Sequence, residues 1–186
     1  MPPATRWRTR AAGPRYSGSR TTEDPLTRTI GGVADAYITG LKLLAARELT
    51  EAQIRTRLAR RKFEPEAIDA AVVRLQENGS LDDRRAAFAC ARMEAHIKRH
   101  GQQRALRRLQ TLGIERSLAR TAVTEVFADL NEDELIAQAI ERRLKHGASL
   151  REQRVANRIY RYLLGQGFDA SRVSAALRNR LKHYDE

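Results

Sequence analysis

The sequence predicts an all-α protein in which three tandem three-helix repeats form an elongated, curved helical array. Three observations support this fold class. Apolar residues recur at intervals of three, four and seven from about residue 35 onward, alternating apolar and polar runs typical of strands are absent, and one pattern returns roughly every 50 residues. We expect a disordered basic tail over residues 1–34, followed by three-helix repeats over residues 35–81, 82–129 and 130–186.

The composition excludes several classes of protein. The chain has 186 residues, with 35 Lys and Arg against 23 Asp and Glu, which gives a formal net charge of +12. Its single cysteine, Cys90, rules out a disulfide-stabilised scaffold and a four-cysteine zinc site. No run approaches the roughly 20 apolar residues of a transmembrane helix, and residues 1–30 lack the apolar block of a secretory signal. We therefore expect a soluble, cytoplasmic protein with a polyanionic partner, either nucleic acid or an acidic protein groove.

The first 30 residues carry no helical or strand period. Proline and glycine alternate there with Arg, Ser and Thr. The segment contains six arginines and two acidic residues. A solvated tail is the preferred interpretation. A basic arm comes second, in which arginines contact phosphates while Trp7 and Tyr16 stack on bases, and an organelle transit peptide comes third.

From residue 35 onward we expect nine short helices. Their starts are marked by residue pairs in the form of capping boxes, in which two side chains satisfy each other's free backbone donors. These pairs are Thr50 with Gln53, Asn131 with Glu134, and Ser149 with Glu152. Pro65 stands where a first helical turn tolerates proline.

The repeat is defined by pairs of apolar anchors five residues apart. The pairs are Leu58 and Phe63, Leu109 and Ile114, and Leu163 and Phe168. After each pair a polar turn opens a third helix, and this turn is predicted to be one residue shorter in the middle copy. Stacked repeats would bury a continuous apolar seam. Three independent bundles joined end to end are equally compatible with the sequence.

A search for catalytic groups predicts no active site, cofactor or metal. His96 and His100 are four residues apart on one predicted helix, near Cys90, which is a spacing that can hold a metal. An exposed basic face is favoured instead, since no further ligand is evident downstream. Adjacent Asp82 and Asp83 point about 100° apart on a helix, so they are predicted to form a helix cap rather than an acid–base pair.

Positive charge, by contrast, is organised, because the second helix of every repeat is basic. These helices carry Arg55, Arg57, Arg60, Arg61 and Lys62 in the first repeat, Arg104, Arg107 and Arg108 in the second, and Arg151, Arg154, Arg158 and Arg161 in the third. Few glutamates stand four residues away to mix the signs. We interpret these residues as contacts to a long acidic partner, without sequence specificity.

Several segments, taken in order, resemble a known family. They are GLKLLAARELTEAQIRTRL at 40–58, KFEPEAI at 62–68, GSLDD at 79–83, GQQR at 101–104, Leu109, LGI at 112–114, GF at 167–168, Val173 and Leu177. Each is a pattern of packing and turn residues, and their joint order and spacing are specific. Over about residues 35–182 the chain resembles the RecX family of bacterial regulatory proteins.

The resemblance implies a non-enzymatic modulator of the RecA recombinase, built of tandem three-helix repeats. Such a protein would bind the RecA filament on DNA and restrain filament growth, ATP hydrolysis, strand exchange and co-protease activity. The expected partners are therefore RecA and single- or double-stranded DNA, with the protein acting as a monomer and without a cofactor. A general DNA-binding or architectural protein acting through its basic helices is the alternative.

Overall fold

The computed structural model describes residues 31–144 and 150–182, and all regular secondary structure within these ranges is helical. The helices are α1 (Val33–Ala46), α2 (Glu51–Arg60), α3 (Pro65–Glu77), α4 (Asp83–Arg92), continued by a π-helical turn (Met93–Ile97), α5 (Gln102–Thr111), α6 (Arg116–Phe127), α7 (Glu132–Leu144), α8 (Gln153–Gln166) and α9 (Ala170–Lys182). The predicted all-α repeat fold is confirmed. Most of the predicted tail lies outside the described residues, but α1 begins at Val33, two residues inside the range assigned to that tail.

Three separate hydrophobic cores follow one another along the chain. The first is built from α1–α3, the second from α4–α6 and the third from α7–α9. The first anchor of each predicted pair is fully buried, and the second is at most 8% exposed. Each core uses one apolar stripe from each of its three helices, as expected for amphipathic helices whose opposite faces meet water.

The anchors are five residues apart because they belong to one C-terminal motif of the second helix. In α2 the amide of Phe63 donates to the carbonyl of Leu58 at 3.4 Å, and the amide of Lys62 donates to Ala59 at 2.9 Å. The corresponding bonds end α5 and α8. This pair of bonds is the Schellman arrangement, in which a left-handed residue ends the helix and an apolar contact closes it. The repeat in the sequence is therefore a repeated helix stop.

The third helices start in the same register in all three repeats, so the prediction of a shorter middle turn is wrong. An acidic residue follows each second anchor directly: Glu64, Glu115 and Asp169. In the middle repeat the buried positions of α6 are Ala119, Ala122, Val123 and Phe127, so the predicted core position Ala122 is confirmed and Leu118 is not. The prediction had taken the larger, half-buried Leu118 as the core position, which shifted the alignment by one residue.

Two of the predicted helix starts are observed and one is displaced. Thr50 and Gln53 form the full reciprocal capping box at the start of α2. Asn131 accepts hydrogen bonds from the amides of Asp133 and Glu134, although the Glu134 carboxylate bonds the Asn131 side chain instead of its backbone. Ser149 lies outside the described residues. Its predicted partner Glu152 directly precedes α8, so this helix begins later than the predicted box requires.

Candidate functional site

The second helices of the three repeats meet end to end. At the first joint, between α2 and α5, the Thr50 hydroxyl donates to the Leu112 carbonyl at 2.6 Å. At the second joint, the amides of Gly101 and Gln103 at the start of α5 donate to the last carbonyls of α8, at 2.9 and 3.2 Å. Each positive helix N-terminus therefore faces a negative C-terminus, which stabilises the contact. We call the row α8, α5 and α2 the helix column.

The residue that ends each second helix has a left-handed backbone conformation. Whether it is glycine depends on whether another helix packs against it. Gly113 and Gly167 have φ values of 84° and 90° and lie at the two joints. A Cβ atom at Gly113 would overlap the side chain of Ala52, and one at Gly167 would overlap the backbone of Arg104. Lys62, with φ 62°, occupies the same position at the end of α2, where it is exposed. Glycine is therefore required at the joints by space as well as by backbone angle.

Some of the arginines occupy equivalent positions on two of the stacked helices, and Arg57 on α2 matches Arg108 on α5. Counting from the buried anchor leucines, Arg104 matches Arg158 and Arg107 matches Arg161. Seven arginines of the column make no ion pair with a described residue, and we call them the arginine row. They are Arg57, Arg60, Arg107, Arg108, Arg154, Arg158 and Arg161. The row gives the column a positive surface along its length.

Two of the predicted contact residues are engaged within the protein. Arg55 binds Glu51 at 2.7 Å and also pairs with Asp69 on α3, so its charge is compensated. Arg104 donates to the carbonyl of Gly165 at 3.1 Å and to the side chain of Gln166 at 3.2 Å. It therefore ties α5 to α8 across the second joint. The expectation that acidic partners are scarce fails at Arg55, because Glu51 stands four residues before it and Asp69 reaches it from α3.

Three other predicted residues lie beyond their helices. Arg151 was placed on the second helix of the third repeat, but it precedes α8 and has a contact of its own. Arg61 caps the end of α2, and Lys62 follows it in the left-handed turn. The predicted stripe of four arginines on α8 is therefore a stripe of three.

One end of the column carries a cluster of like charges. Burial lowers the pKa of Arg57, and the positive charges of Arg47, Arg61 and Arg60 lower it further. Repulsion of this kind favours an anionic ligand, which would relieve it. Arg47 was missed in the sequence because it lies at the end of α1. Its position just before the Thr50 capping box is the signal that could have placed it beside α2.

A buried carboxylate organises the turn that leads into the second joint. Glu94 is 2% exposed, and its two oxygens bind Lys98 Nζ and His100 Nδ1, both at 2.6 Å. The π-helical turn ends at Ile97, so His96 and His100 are not on one helix as predicted. Within the described part of the chain, no cluster of three or more His, Cys, Asp or Glu side chains is placed to hold a metal ion. The group around Glu94 is an ion-paired turn.

Replacing Glu94 with alanine should lower the free energy of unfolding by about 2–3 kcal/mol, because it removes two charge-assisted hydrogen bonds from a buried position. Burial raises the pKa of Glu94, but the hydrogen bonds from Lys98 and His100 lower it by more. The stabilisation is therefore complete above about pH 4.3, the pKa of an unfolded glutamate, and is lost as the pH falls through the lower folded-state pKa. Urea unfolding at several pH values measures both effects.

The matched control is Glu66→Gln, because Glu66 is an exposed carboxylate on α3 with no ion pair to a described residue. It should lower stability by no more than about 1 kcal/mol at any pH, because Glu66 loses only its interaction with the positive end of α3. Glu94→Gln, which keeps the shape and loses the charge, should fall between wild type and Glu94→Ala. Equal stability of Glu94→Ala and wild type at pH 7 would contradict a structural role for this turn.

Comparison with known proteins identifies the family. The model for the first three-helix domain of RecX matches residues 36–75. The regulatory protein RecX of Thermus thermophilus is 37% identical over 139 residues, which cover 75% of this chain and 86% of that protein. The RecX of Halorhodospira halophila is 32% identical over 138 residues, covering 73% and 82%.

Two solved structures share the fold. The crystal structure of RecX from Lactobacillus salivarius aligns with a TM-score of 0.65 at 17% identity, over 79% of this chain and 95% of that one. A second crystal structure, of a regulatory protein RecX, aligns with a TM-score of 0.68 at 23% identity, over 77% and 72%. Among the described residues, no helix combines the length and the apolar content needed to cross a bilayer. The sequence relatives extend over most of the chain, and the chain belongs to the RecX family of regulatory proteins.

Proposed function

We propose that this protein binds a RecA–DNA nucleoprotein filament through its arginine row and regulates the recombinase, mainly by restraining its ATPase, strand-exchange and co-protease activities. Family membership supports a regulatory role. One observation supports the mode of binding: three basic helices are aligned end to end, with seven arginines that lack an acidic partner among the described residues. The protein acts in this proposal as a binding partner and not as an enzyme.

The length of the column suits an extended polyanion. Helices of 14, 10 and 10 residues rise by about 1.5 Å per residue, so the summed length of the three helices is about 50 Å. That distance is about 15 base pairs of duplex DNA, which carries one phosphate per strand every 3.4 Å or so. Arginine contacts to phosphate position a protein without distinguishing bases, so we expect no sequence preference.

We also propose that the repeats comprise residues 35–81, 82–129 and 130–186, in a cytoplasmic monomer without a cofactor. The three separate cores support this division, since each is built from three consecutive helices. A monomer suffices because one chain already presents the whole column. Arg55, Arg104 and Arg151, which were also predicted contacts, each interact within the protein. The proposed contact residues are therefore those of the arginine row.

The test is the ATPase of RecA on single-stranded DNA, with this protein added at substoichiometric ratios. We expect the rate to fall, and the protein to co-sediment with the filament, at concentrations too low to coat bare DNA. An unchanged ATPase rate together with absence of the protein from the sedimented filament would refute the proposal.

A general DNA-binding protein is the second candidate, and the unpaired arginine row itself favours it. Such a protein would bind a duplex of about 15 base pairs tightly in the absence of RecA, with affinity falling steeply as salt is raised. Fluorescence anisotropy of a labelled duplex measures this directly. Tight binding to bare DNA without an effect on the RecA ATPase would favour the second candidate over the first.

A further inference from the structure

A cavity of about 200 Å³ opens between the first and second repeats, beside the first joint of the column. Its floor is formed by small or apolar side chains, among them Ala86, Ala89, Cys90 and Leu112. The π-helical turn contributes Met93, whose side chain is 52% exposed although it borders the cavity. Ile97, four residues further along the same turn, is 78% exposed. An apolar cavity flanked by exposed large apolar side chains is typical of a protein interaction site.

The charges around the cavity are unbalanced. Its two acidic residues are already engaged, because Glu48 pairs with Arg85 at 2.6 Å and Glu94 pairs with Lys98 and His100. Arg47 and Arg108, which also line the cavity, make no ion pair with a described residue. The mouth of the cavity is therefore positive, and carboxylates are the groups that would complement it.

The floor favours a side chain over a nucleobase as the occupant. A base needs hydrogen-bond partners for its edges, and the side chains of Ala86, Ala89 and Leu112 in the floor offer none. The hydroxyl of Thr50 bonds the Leu112 carbonyl and the Gln53 amide, and the Gln53 side chain accepts from the Thr50 amide. An aliphatic side chain would fill the space without leaving a polar group unpaired.

We propose that this cavity binds a short segment of a partner protein, in which one or two bulky aliphatic side chains are flanked by carboxylates. The aliphatic group would lie against Ala89, Cys90 and Met93, and the carboxylates would pair with Arg47 and Arg108. Arg108 belongs to the arginine row as well, so a partner on the column is positioned to reach the cavity. The site shares Arg108 with the arginine row, but its test uses a peptide and does not require RecA.

The probe is the acetylated hexapeptide EDLLDE, titrated into the full chain. The chain has two methionines, Met1 and Met93, so selective ¹³C labelling of methionine methyl groups gives two signals, and the signal lost in Met93→Leu is the one from the cavity. The single cysteine, Cys90, gives a second reporter, because a bound peptide should slow its alkylation. We expect a saturable shift of the Met93 methyl signal and slower alkylation of Cys90.

Two control peptides separate the apolar and charged contributions. EDSSDE should bind at least about tenfold more weakly, because a buried leucine contributes about 1.5–3 kcal/mol. QNLLNQ should bind about fivefold more weakly, as expected for losing exposed charge pairs. Arg47→Glu should weaken EDLLDE by a similar factor, and Ala89→Leu should abolish binding by filling the cavity. Arg116→Glu makes an equal charge change at an exposed position on α6, so it should leave the affinity unchanged.

Three outcomes would overturn the proposal. One is a Met93 signal that does not move at millimolar EDLLDE while the protein stays folded. Another is equal affinity for EDLLDE and QNLLNQ, which would exclude carboxylate recognition. The third is a 15-nucleotide oligonucleotide that shifts the Met93 signal and protects Cys90 better than the peptide does, which would identify nucleic acid as the occupant. Arg47→Glu changes an exposed residue, so it serves if Ala89→Leu does not fold.

Discussion

Replacing Arg107, Arg158 and Arg161 together with alanine should weaken binding to the filament, and to bare DNA, by about 100-fold at physiological salt. Each of the three is an exposed member of the arginine row on α5 or α8, without an acidic partner among the described residues. A plot of log affinity against log salt has a negative slope, and each lost phosphate contact should reduce its magnitude by about one. The triple variant should therefore show a slope about three units less steep. Fluorescence anisotropy across a salt series measures both quantities.

The matched control is the triple replacement of Arg116, Arg120 and Arg178 with alanine. It removes the same charge from exposed positions on α6 and α9, away from the column. Helicity by circular dichroism should be unchanged in both variants, because alanine is the best helix former. Equal losses of affinity in the two variants would show that only net charge matters and that the column has no special role.

Replacing Gly101 with alanine should separate the second and third repeats and destabilise the protein by about 1–3 kcal/mol. The φ angle of Gly101 is −76°, which any residue adopts, so the substitution causes no backbone strain. Its Cβ, however, would overlap the backbone of Gly167 and Phe168 across the second joint. The two amides that cross this joint, of Gly101 and Gln103, should then exchange with solvent faster. Hydrogen exchange by NMR and urea unfolding provide the measurements.

Gly165→Ala is the control for this substitution. Gly165 lies within α8, and a Cβ there would meet no atom within 4 Å. The same added methyl group should therefore stabilise the helix by about 0.5–1 kcal/mol. If Gly101→Ala left the exchange of the joint amides at the wild-type rate, the end-to-end contact of α5 and α8 would not be rigid, and the continuous column would be refuted.

Much of the fold could be predicted because its signals are local. The anchors Leu58 and Phe63 recur as a pair since a helix stop requires an apolar contact at a set spacing, and the same stop ends α5 and α8. The capping box at Thr50 is equally local, since its bonds span three residues. Periodic apolar positions and turn residues of this kind predict the helices without reference to other parts of the chain.

The errors arise where tertiary packing, a nearby ion pair or the actual start of a helix differs from what apolar spacing predicts. Leu118 is apolar enough for a core position, but packing in the second repeat buries the smaller Ala119 instead. Arg55 pairs with Glu51 four residues before it, which the sequence could have indicated, and also with Asp69 from α3, which it could not. Arg151 fits the spacing of the α8 stripe, but the helix begins only after it. Helical periodicity cannot reveal which neighbouring element reaches a residue.

Residue spacing is enough to establish the helical class, the triple repeat and the basic character of every second helix, because each of these follows from patterns within one turn or one helix. Spacing does not show that these helices meet end to end, since the joints are bonds between residues about 60 positions apart, such as Thr50 with Leu112. Packing between the repeats also decides which arginines hold the joints and which face outward. The direction of the charged surface is therefore a property of packing, which no single helix contains.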